Sequence, residues 1–131
     1  MTLILPFPPS VNHYYRRVGP RTLISRQGRE YRRVICGLLA PGGGDKKPPR
    51  TGRIALCMDV FPPDRRRRDL DNLLKSVQDS LAQTGLYEDD SQIDLLLVRR
   101  REVKKPGHIA VEIFDLPLRR CPLCKASLQG N

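Results

Sequence analysis

The chain has 131 residues, with 24 Lys or Arg against 14 Asp or Glu, for a formal net charge of +10. That length suits one domain with a modest core, and the positive excess points to nucleic acid or another anionic surface as partner. No apolar run approaches the ~20 residues of a membrane span and no signal-peptide pattern opens the sequence, so a soluble, cytoplasmic protein is expected.

Residues 2–7, TLILPF, read as a short strand stopped by Pro8-Pro9. From Pro9 to Pro20 the expectation is a loop carrying Asn12, His13, Tyr14, Tyr15, Arg16 and Arg17. Interleaved tyrosines and arginines suit a sugar-phosphate backbone, and a tyrosine can stack on an unpaired base. The plainer alternative is half-buried tyrosines beside solvated arginines. His13 reads as a structural hydrogen bonder and not as a metal ligand.

A helix is expected from Ser25 to Ala40, with Tyr31, Val34, Ile35, Leu38 and Leu39 as its apolar stripe and Gly28 weakening its first turn. Residues 41–51 form a loop by composition. It could reach DNA through Lys46 and Lys47, although a tolerated connection is the simpler reading. Residues 52–61 alternate as a strand, with Ile54, Leu56, Met58 and Val60 on one face. Cys36 and Cys57 fall inside apolar patterns and read as core.

That strand delivers the chain to Pro62-Pro63-Asp64 and then to four consecutive arginines, Arg65 to Arg68. A helix follows at once, because Leu70, Leu73, Leu74, Val77 and Leu81 recur with a 3.6-residue period. Asp69 stands at the expected N-cap, and Gly85 at the expected C′ position. Asp71, Lys75 and Asp79, four residues apart, share the opposite face. A second acidic cluster, Glu88-Asp89-Asp90, follows the helix. Ile93 to Arg101 reads as a strand, Pro106-Gly107 as a tight turn with Pro at i+1, and Ile109 to Phe114 as its antiparallel return. The order strand, helix, strand, helix, hairpin predicts an α+β domain with helices packed on a mixed sheet.

The acids suggest chemistry. A hard cation such as Mg²⁺ takes oxygen ligands, commonly one or two carboxylates plus water and substrate phosphate. Asp69 and Asp71 could supply two carboxylates and the Glu88–Asp90 turn a third. Lys75, one turn beyond Asp71, could offset charge developing on a phosphate, and the arginines could hold flanking phosphates. The plain alternatives are a helix cap at Asp69, an exposed Asp71–Lys75 pair of about 0.3–0.5 kcal/mol, and an arginine patch that only binds. Asp94 could add a ligand or be an ordinary exposed acid. Spacing alone leaves these alternatives open.

RRRRDLDNLLK followed by LYEDDSQI resembles the central motif of the RusA-type Holliday junction resolvases of bacteria, phages and prophages. The opening LPFPPSVNHYYRR is also similar to that family's, and the likeness runs from about residue 2 to residue 114. It implies a nuclease that resolves four-way DNA junctions, as a homodimer, with Mg²⁺ or Mn²⁺ as cofactor. By motif, Asp69, Asp71 and Asp90 would bind the metal and Lys75 would serve cleavage. Asp90 is preferred to Asp89 as the second acid of the pair, just before Ser91-Gln92-Ile93. Arg65, Arg66, Arg67, Arg68, Arg16, Arg17, Tyr14 and Tyr15 would contact DNA, and Asn72 would orient a metal-binding carboxylate. The rival readings are a non-catalytic basic DNA-binding protein, and a metal nuclease acting on other branched or single-stranded DNA.

The likeness ends near Phe114, giving an expected nuclease domain over 1–115 and a tail over 116–131. The tail contains Cys121-Pro122-Leu123-Cys124. A C-x₂-C is half of a zinc ribbon or knuckle, and no second matching pair exists in the chain. Zinc shared across a dimer is therefore left open. A redox role is weaker, because this C-x-x-C does not begin a helix after a strand.

Overall fold

Strand β4 (Ile54–Phe61) lies inside the sheet of the computed structural model, which describes residues 2–39 and 48–128. Its Ile54, Leu56, Met58 and Val60 point one way, as the alternation predicts, and all four are buried in the main core. Around it are β1 (Thr2–Pro6), α1 (Val11–Tyr14), β2 (Tyr15–Val18), β3 (Arg21–Ile24), α2 (Arg26–Leu39), α3 (Asp71–Gln83), a 3-10 turn (Asp90–Gln92), β5 (Ile93–Arg100) and β6 (His108–Asp115). The expected α+β class holds: α2 and α3 pack on one face of a mixed sheet.

The sheet order is β1-β6-β4-β5, with β5 parallel to β4 and β6 antiparallel to both β4 and β1. The expected β5–β6 hairpin is therefore wrong. The linker crosses the end of β4, where Arg101 N–H donates to the Val60 carbonyl at 2.8 Å and Lys104 N–H to the Pro62 carbonyl at 2.9 Å. Burial explains the choice. Ile109 and Val111 of β6 are almost fully enclosed and take an inside position, whereas Leu95 and Leu96 of β5 tolerate the edge. The turn is also shifted by one residue. Gly107 N–H reaches the Lys104 carbonyl at 2.6 Å, so Lys105 and Pro106 are its central pair. Gly107 has φ +91°, and a Cβ there would come within 2.9 Å of Pro63 Cδ, so glycine fits on both counts.

Helix α3 buries Leu73, Val77 and Leu81, with Leu70 and Leu74 packed at the margin. Truncating Leu73 or Leu81 to Ala would cost about 2–5 kcal/mol. Its C-terminus is as expected, with Gly85 at φ +83° after the Thr84 C-cap. Its N-terminus is not. Leu70 holds the cap position in a helical conformation, and Asp69 contributes its carbonyl to Asn72 N–H at 3.2 Å, with no side-chain cap. Because the turn already closes through the backbone, the Asp69 carboxylate is left unspent.

The Pro9–Pro20 loop is replaced by a helical turn, α1, and an antiparallel β2–β3 ribbon. The segment is too short and too charged to show a period, but the Ser10 carbonyl accepts from His13 N–H and Tyr14 N–H at 2.9 and 2.8 Å and drives Tyr14 inward. Helix α2 begins where Ser25 Oγ accepts from Gly28 N–H at 3.0 Å. Gly28 is required there, because a Cβ would collide with the Tyr14 carbonyl oxygen and the Ile24 side chain. Lys46 and Lys47 lie outside the described residues. Among the described residues no helix is long and apolar enough to cross a membrane.

Candidate active site

Arginine claims about half of the described acids. Asp59 is held by Arg99 at 2.7 Å, Asp64 by Arg68 at 2.6 Å, Asp115 by Arg50 at 2.9 Å, and Asp79 and Asp94 by Arg32 and Arg53. In so cationic a chain the exceptions are informative. Among the described residues Asp69, Asp71 and Asp90 have no arginine partner, although four arginines immediately precede Asp69; Glu88, Asp89 and Glu112 share that freedom, but Asp89 is tied to its own turn and Glu112 to Lys125. Asp94, by contrast, is occupied by Arg53 and offers little to an ion.

Asp71 is the first residue of α3 and Lys75 lies one turn further on, both exposed. The Lys75 ammonium is 3.9 Å from Asp90 Oδ2. The other oxygen, Asp90 Oδ1, lies 3.1 Å from the Tyr87 hydroxyl, which is also 2.9 Å from the Gln78 carbonyl. Tyr87 is fully buried; burial first, and then the Asp90 charge, push its phenol far above the usual range, so it stays protonated and able to donate. The turn itself hangs on Gln92. Its Oε1 accepts from Glu88 N–H at 2.6 Å and Asp89 N–H at 2.8 Å, while its Nε2 donates to the Arg50 and Gly52 carbonyls, both at 2.8 Å. Asp89 closes a capping box by accepting from Ser91 N–H at 3.0 Å, and Ser91, through its hydroxyl first and then this N–H, lowers the Asp89 carboxyl below the ordinary value. Asp89 is thus spent on structure and Asp90 is not.

Sequence reasoning missed Tyr87 and Gln92. The Asp89-x-x-Gln92 spacing is a capping-box signal that could have found the glutamine. Nothing local announces the tyrosine.

Asp69 is exposed just before α3. It lines an open cleft with Asn72, Ser10, His13 and Arg66 to Arg68. Among the described residues no three His, Cys, Asp or Glu side chains are gathered closely enough to hold one ion, so a bound ion would have to draw the carboxylates in around it. The chemistry of the donors nevertheless fits a hard divalent cation: carboxylate oxygens, free of guanidinium, with exposed surface for water.

Tyr14 does not face DNA. It is fully buried, its hydroxyl donates to Asp79, and the Arg32 guanidinium binds the same carboxylate. Burial and Asp79 together push the phenol up to about 12. Asp79 is therefore a half-buried tether joining three helices. Tyr15 is half-buried, its ring edge-on to Tyr14 with centroids 4.8 Å apart. Burial raises its phenol, with the Lys75 charge acting against that shift. Arg16 and Arg17 are exposed on β2.

Arg65, Arg66 and Arg67 are exposed, whereas Arg68 is half-buried against Asp64 and lies 5.3 Å from the centroid of the Phe7 ring. That pair holds the Asp64 carboxyl down at about 2. A second group of arginines, unseen in sequence, joins the first. Arg100 donates to the Arg68 carbonyl at 2.6 Å, and Arg100 and Arg101 line one cleft with Arg65 to Arg68. The turn after β4 and the end of β5 thus build a single strongly positive surface.

The family described as Endodeoxyribonuclease RusA matches residues 6–114. The crossover junction endodeoxyribonuclease rusA of Enterobacteria phage HK97 is 40% identical over 113 residues, covering 86% of this chain and 92% of that protein. Its namesake from Enterobacteria phage 82 is 36% identical over 118 residues, covering 87% and 93%. The Escherichia coli K12 protein of that name is 36% identical over 121 residues, covering 88% and 94%.

Proposed function

The chain belongs to the endodeoxyribonuclease RusA family, and we propose that it resolves four-way DNA junctions by Mg²⁺-dependent phosphodiester hydrolysis. The observation that carries the reading is the Lys75–Asp90 contact beside Asp71 on α3, with Asp71 and Asp90 both left alone by arginine, in a chain where Asp69 shares a cleft with Arg66 to Arg68. Asp71 and Asp90, joined by Asp69, would hold the ion. When bound, a divalent cation polarises a phosphoryl oxygen and makes a nearby water more acidic.

The protein's own groups do the rest. Tyr87 and Gln92 fix where Asp90 stands. Lys75 brings a positive charge to the position where negative charge grows on the phosphate in the transition state. Arg65 to Arg67, with Arg100, Arg16 and Arg17, grip the backbone on either side. Tyr15 is placed to stack on a base opened at the branch point. Asn72 lines the same cleft as Asp69 and would orient that carboxylate. The nuclease unit is residues 1–115, with residues 116–131 an appendage, and a C₂ pair of such units would deliver the two matched cuts that a junction requires.

The test is cleavage of labelled four-way junction, duplex and single strand, each with Mg²⁺ or with chelator. Paired nicks near the branch point, only with Mg²⁺ and only on the junction, are expected. Binding without any Mg²⁺-dependent product would make the protein a basic binder, and equal cutting of all three substrates would make it a less selective nuclease.

A further inference from the structure

The tail carries chemistry that phosphodiester hydrolysis does not use. Residues 119–128 form a small zipped loop in which Arg120 and Ser127 make an antiparallel bridge. Leu128 N–H donates to the Arg119 carbonyl at 2.8 Å, Cys121 N–H to the Ala126 carbonyl at 2.8 Å, and Lys125 N–H to the Cys121 carbonyl at 2.9 Å. Cys121 and Cys124 at its tip are free thiols. Those backbone bonds fold the chain back across Cys121 and put both cysteines in one tight turn. Lys125 closes the loop at φ +64°, a left-handed conformation that costs a lysine energy.

Paired sulfurs in a backbone-zipped turn flanked by Arg119, Arg120 and Lys125 suit thiolate, because positive charges offset the negative charge that a metal ligand must carry. Structural zinc sites close with four ligands. Among the described residues no third His, Cys, Asp or Glu joins these two.

We propose that Cys121 and Cys124 supply two of the four ligands of a Zn²⁺ ion, and that the same two cysteines of a second copy of this chain supply the others. Identical half-sites meeting on a two-fold axis complete the tetrahedron. Each thiol gives up its proton on binding and no electrons change hands. Arg119, Arg120 and Lys125 offset the net negative charge of a four-thiolate zinc centre. The location permits a second copy. The loop lies on the sheet face opposite the helices, where Lys125 reaches Glu112 at 3.3 Å and Pro122 borders a cavity with Cys57 and Arg99. A partner joined there leaves Asp71, Lys75 and Asp90 uncovered.

The experiment uses the full chain, purified reduced and without chelator, and does not depend on its nuclease activity. Metal analysis and native mass spectrometry should find one zinc for two chains. Replacement by Co²⁺ should give the intense visible and thiolate charge-transfer bands of a tetrahedral all-sulfur site. Cys121→Ser and Cys124→Ser should each lose those bands while keeping the far-ultraviolet circular dichroism of the parent, and Cys36→Ser should keep the bands. Co²⁺ spectra without thiolate bands, one ion for each chain, or a Cys121–Cys124 disulfide persisting under glutathione-buffered reducing conditions would each overturn the proposal.

Discussion

The Tyr87 hydroxyl, sealed inside the protein, lies 3.1 Å from Asp90 Oδ1 while Lys75 approaches the opposite oxygen. A core residue thereby sets the position of a surface acid. Tyr87→Phe removes that hydroxyl with almost no change in shape. The expected loss of stability is about 1 kcal/mol, read from urea unfolding. The more telling readout is the Mg²⁺ concentration for half-maximal cleavage, which should rise while junction affinity stays at the parental value.

Asp71→Asn keeps the size of the side chain and removes its charge. Junction cleavage should fall below detection, while binding measured without Mg²⁺ is retained or tightened, since one negative charge beside the phosphate is gone. Undiminished nicking by this variant would take Asp71 out of the mechanism.

Lys75→Met retains most of the apolar stem and deletes the ammonium. Cleavage is expected to drop about a hundredfold, the scale seen when one donor to a developing charge is lost. Junction affinity should change far less, because the arginine cleft supplies most of the attraction. A loss confined to binding would make Lys75 a contact residue instead.

Gln92→Ala leaves two N–H groups and two carbonyls of the surrounding backbone without partners. A cost of about 2–4 kcal/mol is expected, measurable by chemical denaturation. Ser91→Ala, one residue away, exposed and with its backbone N–H intact, should cost less than about 0.5 kcal/mol.

Alkaline unfolding should begin early. Tyr14, Tyr31 and Tyr87 all have phenols raised by burial, Tyr14 to about 12. A raised value means that the folded chain keeps a proton the unfolded chain releases, so this contribution is complete below pH 10 and is lost as pH climbs toward 12. Thermal midpoints measured across that interval should fall steadily. In Tyr14→Phe the fall should be shallower.

Much of this was legible because periodicity reports burial. The 3.6-residue spacing from Leu70 to Leu81 and the alternation from Ile54 to Val60 record which side chains leave water, and the structure buries those faces. Pairing between strands is a different matter. Nothing in the pattern of β5 or β6 says which is the edge, so a short linker containing Pro106-Gly107 suggested a hairpin where the chain instead crosses β4. Tyr14 and Asp79 misled for a related reason. A tyrosine near arginines and an aspartate on a helix face look solvent-bound in one dimension, and become partners only when three helices meet. The arginine cleft was half-visible, because Arg65 to Arg68 are contiguous whereas Arg100 and Arg101 arrive from a distant strand.

The placement of β6 between β1 and β4 also governs the order in which the protein can be made. The first strand to leave the ribosome has no neighbour until nearly the last one emerges, since residues 2–6 pair only with residues 108–112. Until then a growing polypeptide exposes the unpaired edges of β1 and β4, and cannot close its sheet. Synthesis interrupted before His108 therefore yields no partial nuclease, only a fragment for proteases to remove.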